Sequence, residues 1–134
     1  MKIGLDCLGH HYILELYGCP HDLLSNVDYV SKTMHDVASA GNCNVLSNEY
    51  HQFDPYGVSG VTLISESHLS IHSWPQFGYA AVDFFFCSDE VLVDAMIARL
   101  KEGFKSTDIK VEVCHRGMRL FDDNPDMGED SLGA

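Results

Sequence analysis

Residues 57–75 read GVSGVTLISESHLSIHSWP, and this stretch decides the fold and points to a site. We predict one strand over Val58–Ile64, which is rich in β-branched residues, and a second over Leu69–Trp74. Between and within these strands lie the Glu66-Ser67 bond and two histidines, His68 and His72. A polar cluster inside a segment that otherwise indicates buried strand calls for a chemical explanation.

Further elements follow on either side of this stretch. Apolar patterning predicts additional strands over Leu8–Tyr17, Cys43–Phe53 and Tyr79–Cys87, and a last strand through Ile109, Val111 and Val113. A first helix is expected with Pro20 in its first turn and Gly41 at its end. A second helix is expected with Asp89 and Glu90 in its first turn and a buried face reaching Phe104.

These elements predict an α+β fold. About six strands joined mostly by short turns favour a two-layer sandwich, in which two helices cover one face of an antiparallel sheet. The chain has 134 residues, which fits one domain over residues 1–120 followed by an acidic, disordered tail over residues 121–134. The other sheet face is apolar enough that we expect a homodimer through that face or through a sheet edge.

Composition excludes several classes of partner. The net charge is −12 with eight scattered Lys and Arg residues, so we expect no nucleic-acid partner. The sequence lacks a membrane-length apolar run and a signal peptide, so we expect no membrane partner and a cytoplasmic protein. The five cysteines form no CxxC pair, which favours thiols over disulfides. The acidity suits a cationic small substrate, although solubility is the more common reason for an acidic composition.

The stretch over residues 57–75, together with FGYAAVD over residues 77–83 and with Cys87, resembles the self-cleaving, pyruvoyl-dependent S-adenosylmethionine decarboxylases of bacteria and archaea. The resemblance covers about residues 8–116 and is most specific over residues 56–87. It implies cleavage between Glu66 and Ser67 into residues 1–66 and 67–134, with Ser67 as pyruvoyl precursor, His72 as processing base and Ser59 as a helper. Without it, these side chains would be ordinary polar residues on a half-exposed strand.

The implied chemistry begins with attack of the Ser67 hydroxyl on the Glu66 carbonyl, which replaces the amide by an ester. Removal of the Ser67 α-proton then eliminates the ester and leaves dehydroalanine, which hydrolyses to ammonia and a pyruvoyl group. That ketone can form a Schiff base with a substrate amine and accept the electron pair released with CO2. The resemblance also implies that Cys87 is the proton donor, a role that a thiol can serve because it is largely protonated at neutral pH.

Strand geometry constrains two of these expectations. Ser67 and His72 are an odd number of residues apart and would face opposite sides of a regular strand, so a bulge or turn near the scissile bond is required. His68 and His72 would lie roughly 13 Å apart, and His10 and His11 would point to opposite faces, so neither pair can share a metal ion. We therefore expect no metal.

The substrate is less clearly indicated. The resemblance implies that Phe53 stacks on adenine and that Gln76 meets the ribose hydroxyls, where the family commonly has Glu. Phe86 and Asp54 also depart from the family pattern and would suit a smaller, cationic substrate. S-adenosylmethionine, for spermidine synthesis, is the main prediction, and ornithine or arginine, giving putrescine or agmatine, is the alternative. A third reading is an unprocessed, inactive regulatory homologue.

Overall fold

A computed structural model describes residues 7–118 of the chain. Its elements, in chain order, are β1 (Gly9–Tyr17), α1 (His21–Leu24), α2 (Val27–Ala40), β2 (Val45–Gln52), β3 (Val58–Ile64), β4 (Ser67–Trp74), a 3-10 turn (Pro75–Phe77), β5 (Tyr79–Phe86), α3 (Val93–Phe104) and β6 (Asp108–Arg116). The predicted acidic tail lies outside the described residues.

The six strands form one sheet in the order β2-β3-β4-β5-β1-β6, and every neighbouring pair is antiparallel. β1 lies between β5 and β6, so the first strand of the chain pairs with two strands that follow it much later in the sequence. The predicted α+β architecture with an antiparallel sheet is confirmed.

The core lies between one face of this sheet and the helices. Alternate strand residues such as Leu14, Leu69 and Phe84 are fully buried, and they belong to one cluster with Met34 of α2 and Leu100 of α3. Burying side chains of this size stabilises the fold by about 1.5–3 kcal/mol each. The predicted apolar faces of the helices therefore cover this face of the sheet.

The predicted first helix is interrupted. Asn26 stands between α1 and α2, and its side chain accepts a hydrogen bond from the Tyr29 N–H, which caps α2. The second predicted helix was placed too early, because α3 begins at Val93 and leaves Asp89 and Glu90 in the preceding loop. Acidic residues are common in a first helical turn, but Asp89 and Glu90 lie before the first turn of α3.

The second face of the sheet is not covered by any helix or strand within residues 7–118. Large apolar side chains on it are 40–44% exposed: Ile13, Tyr17, Leu63 and Trp74. We call the face that carries these four residues the open face. The described part of the chain, residues 7–118, contains no helix long and apolar enough to cross a membrane.

Candidate active site

The Glu66-Ser67 bond lies at the tip of the β3–β4 hairpin. Ser65 and Glu66 form the turn, and Ser67 begins β4, paired with Ile64 of β3 and with Phe86 of β5. The φ angle of Ser67 is 150°, in a region that is almost confined to glycine. Holding a serine in such a conformation costs on the order of 1–3 kcal/mol. The bond that the sequence singles out is therefore under backbone strain.

The carbonyl of this bond is held by a fixed donor. The Cys87 N–H donates to the Glu66 oxygen at 3.1 Å. The Glu66 carboxylate accepts from the Asn44 N–H at 3.3 Å, and the Ser65 N–H donates to the Asn44 carbonyl at 2.9 Å. The turn is thus anchored on both sides, and the carbonyl that a hydroxyl would attack is polarised by a backbone N–H, as in an oxyanion hole.

Two thiols lie near this tip and differ in exposure. Cys87 directly follows β5 and is exposed to solvent. Burial, assisted by the negative charge of Glu66, raises the pKa of the Cys43 thiol to about 11. Cys43 therefore stays protonated at neutral pH and is a poor nucleophile, because the reactive form of a cysteine is the thiolate.

Ser59 and His72 form a second polar cluster. They are direct partners across β3 and β4, and the Ser59 hydroxyl lies 2.8 Å from His72 Nδ1. This contact places a base beside a hydroxyl, on the open face and at the opposite end of the strands from Ser67. The two residues that the resemblance implies as processing base and helper are therefore neighbours in the structure.

His72 does not approach Ser67 within the chain. The pairing of β4 with β5 runs continuously from Ser67 to Trp74, so the two residues are separated by roughly 16 Å along the strand. Ser67 shares a face with buried Phe86, whereas His72 is exposed on the open face. The expected turn is present at Ser65 and Glu66, but the expectation that it would bring His72 to Ser67 is wrong for a single copy.

The predicted substrate residues also divide between the two ends. Phe53 and Asp54 follow β2, and Gln76 lies in the 3-10 turn after β4, so all three are exposed at the end that holds His72. Phe53 is 48% exposed, with its ring 4.6 Å from that of His51. Phe86 lies at the Ser67 end and is 1% exposed in the core.

The open face carries a network that the sequence analysis did not assign. Asp83 accepts from His11 Nε2 at 2.7 Å, from His68 Nε2 at 3.2 Å and from the Ser70 hydroxyl. Arg116 donates to His11 Nδ1 at 3.0 Å, which places the His11 proton on Nε2. Burial acts to raise the pKa of Asp83, but the hydrogen bonds outweigh it and the pKa lies below its ordinary value. The sequence signal was an acidic residue at an outward position of an otherwise apolar strand.

The structure is a two-layer α+β fold with a strained internal Glu66-Ser67 bond at one end of β4 and the Ser59–His72 pair at the other end. Comparison with known proteins identifies the group to which it belongs. A family model for S-adenosylmethionine decarboxylase matches residues 10–117, which is most of the chain. The chain belongs to the S-adenosylmethionine decarboxylase family.

Individual relatives agree with this assignment. The S-adenosylmethionine decarboxylase proenzyme of Acidithiobacillus ferrooxidans is 41% identical over 110 residues, which cover 82% of this chain and 83% of that protein. The proenzyme of Thermosipho melanesiensis is 44% identical over 110 residues, covering 82% of this chain and 85% of that protein. The crystal structure of the adenosylmethionine decarboxylase from Aquifex aeolicus is similar with a TM-score of 0.77 and 31% identity, over 84% of this chain and 92% of that one.

Proposed function

We propose that this chain is a self-processing proenzyme that becomes a pyruvoyl-dependent decarboxylase of S-adenosylmethionine. The observation that carries the proposal is the strained Ser67 backbone beside a Glu66 carbonyl held by the Cys87 N–H. The relatives support it, because they are named as proenzymes of S-adenosylmethionine decarboxylase. A cytoplasmic location stays a prediction from the sequence.

The cleavage uses groups of the chain itself. The Ser67 Oγ attacks the Glu66 carbonyl carbon, and the Cys87 N–H, 3.1 Å from the carbonyl oxygen, stabilises the negative charge that develops there. Transfer of the acyl group from nitrogen to oxygen frees the Ser67 amine and relieves the backbone strain. Loss of the Ser67 α-proton expels residues 1–66 through the new α-carboxylate of Glu66 and leaves dehydroalanine, which water hydrolyses to ammonia and a pyruvoyl cap on residues 67–134.

The processing base comes from a second copy of the chain in this proposal. His72 and Ser59 lie roughly 16 Å along the sheet from their own Ser67, too far for proton transfer. The open face exposes apolar side chains that a second sheet could cover. We propose a two-fold homodimer through this face with its axis perpendicular to the strands, so that the His72 end of one copy lies over the Ser67 end of the other and the dimer contains two such sites.

The same arrangement assigns the substrate residues. Phe53 and Gln76 lie at the His72 end, so each would meet a substrate held at the pyruvoyl group of the second copy. Phe53 offers an exposed ring for adenine, and the Gln76 amide can accept from a ribose hydroxyl. Asp54 and the net charge of −12 attract the sulfonium cation. The pyruvoyl ketone would supply the electron sink for decarboxylation.

Release of CO2 tests the substrate. The purified, processed protein is offered carboxyl-labelled S-adenosylmethionine, ornithine and arginine in parallel, and fragment masses confirm the pyruvoyl cap. We expect release from S-adenosylmethionine, because Phe53 and Gln76 provide a stacking ring and a hydroxyl partner. Release from ornithine or arginine alone would instead assign the exposed Asp54 and Gln76 to a pocket for basic amino acids, with Phe86 buried in the core. An uncut protein that releases no CO2 would support the inactive regulatory homologue.

Cys87 has two roles that substitution can separate. Cys87→Ala keeps the backbone N–H that binds the Glu66 oxygen, so we expect cleavage to proceed. The thiol is lost as the proton donor to the substrate α-carbon, so turnover should fall by about 10²–10⁴-fold. Denaturing electrophoresis and CO2 release measure the two effects. Cys114→Ala, which removes another exposed thiol on the edge strand β6, is the control and should change neither. Unchanged turnover in Cys87→Ala would remove the thiol from the mechanism.

A further inference from the structure

A cluster of Cys7, His10 and His115 lies at the end of the sheet where β1 begins. His10 of β1 and His115 of β6 are direct partners across the ladder, although they are 105 positions apart in the sequence. Cys7 precedes β1 and is 4% exposed. One potential ligand atom from each residue lies within 4.8 Å of the other two. The cluster lies on the row Ser67–Phe86–His10–His115, two strands from Ser67.

The spacing of the two histidine nitrogens matches that around a tetrahedral metal ion. His10 Nδ1 and His115 Nδ1 are 3.3 Å apart, and Cys7 Sγ is 3.9 Å from His10 Nδ1. Zinc–nitrogen bonds of 2.0–2.1 Å and zinc–sulfur bonds of 2.3 Å give N–N and S–N separations of about 3.4 and 3.6 Å. The nitrogen pair already has the required spacing, whereas Cys7 Sγ, which is also 4.0 Å from His10 Nε2, has to move toward the two Nδ1 atoms for all three to bind one ion.

Asp89 prepares His10 for such a role. Its Oδ1 lies 3.5 Å from His10 Nε2, which favours the proton on that nitrogen and leaves the Nδ1 lone pair facing His115. Its Oδ2 is buried and has no hydrogen-bond partner among the residues that the structure describes. Histidines that bind metals usually donate their second ring N–H to a carboxylate, which fixes the tautomer. Asp89 thus supports His10 through Oδ1.

We propose that Cys7, His10 and His115 form a binding site for a divalent transition metal ion of the zinc type. One thiolate and two imidazoles are the donors that zinc prefers, and three protein ligands leave a fourth position for water. The ion links the segment before β1 to the edge strand β6, so its role is to stabilise this end of the sheet. The expectation of no metal had weighed only histidines that are close in the sequence.

Cobalt(II) is the probe for the site. The full-length chain, freed of any affinity tag, is titrated with CoCl2, and absorption is recorded. We expect a thiolate-to-cobalt band in the near ultraviolet and strong visible bands of four-coordinate cobalt, both displaced by one equivalent of ZnCl2. Zinc should also raise the Tm, since a ligand that binds only the folded state stabilises it. A chain that develops no thiolate band with CoCl2 would overturn the proposal.

Variants locate the site. Cys7→Ser should abolish the thiolate band, and His115→Gln should weaken cobalt binding at least tenfold. Asp89→Asn should weaken it by about 10–100-fold while keeping the spectrum, as expected for a positioning residue. Cys114, next to His115 in sequence, pairs with His11 on the open face. Cys114→Ser should therefore bind cobalt like the original chain. Circular dichroism without metal verifies that each variant folds. Loss of the band in Cys114→Ser but not in Cys7→Ser would disprove the assignment.

Discussion

Ser67→Ala is expected to give one uncut chain of 134 residues with no decarboxylase activity. Alanine has no hydroxyl to attack the Glu66 carbonyl, so neither the ester nor the pyruvoyl group can form. The hairpin, the ladder from Ser67 to Trp74 and the Cys87 N–H contact do not depend on that hydroxyl. Denaturing electrophoresis and mass spectrometry should show a single species, whereas the unaltered protein should show two.

Ser65→Ala is the matched control for this variant. Ser65 lies in the same turn, two residues away, and is exposed. Its side chain has no role in the proposed cleavage, so we expect two fragments and ordinary CO2 release. Decarboxylation by the Ser67→Ala protein would refute the pyruvoyl mechanism altogether.

The second large effect is rescue of cleavage in mixed dimers. His72→Ala alone should remain uncut, because the base is missing from both sites of its dimer. When it is co-expressed with Ser67→Ala, one site of the mixed dimer combines the intact Ser67 of one copy with the intact His72 of the other. We therefore expect the His72→Ala chain to be cut in mixed dimers while the Ser67→Ala chain stays whole. Different affinity tags on the two chains allow the mixed dimer to be isolated and examined by denaturing electrophoresis.

A third co-expression provides the control. His72→Ala paired with the double variant Ser67→Ala/His72→Ala has no complete site, so it should show no cleavage. Recovery of a doubly tagged His72→Ala and Ser67→Ala complex in which both chains are whole would reject a site shared between copies. It would leave cleavage at Ser67 itself untouched, which the single variant tests separately.

Much of the fold could be predicted from local pattern. The bounds of β3 were predicted correctly because its β-branched residues end at a polar turn. The break before α2 was missed, since the apolar spacing continues across Asn26 and only the cap interrupts the backbone. The start of α3 was predicted too early because acidic residues such as Asp89 are common in a first helical turn. In the structure Asp89 precedes α3 and lies beside His10 instead.

The candidate site was harder to predict, because it depends on pairing between distant strands. Sequence motifs identified Ser67, His72 and Ser59, and the hydrogen bond between Ser59 and His72 follows from the β3–β4 register. Nothing in the local pattern shows that Ser67 and His72 lie at opposite ends of the sheet. His10 and His115 meet only because β1 enters the sheet beside β6, and no periodicity in either strand reveals that contact.

The position of β1 decides what kind of product the proposed cleavage would make. The first fragment contains β1, β2 and β3, and the second contains β4, β5 and β6. Because β1 lies between β5 and β6, the first fragment supplies a strand inside the sheet of the second. Removing the first fragment would break the hydrogen-bond ladders on both sides of β1. The two proposed fragments would therefore stay together as one non-covalent complex that separates only in denaturant. Its parts, made independently and mixed, must fold together to rebuild the sheet.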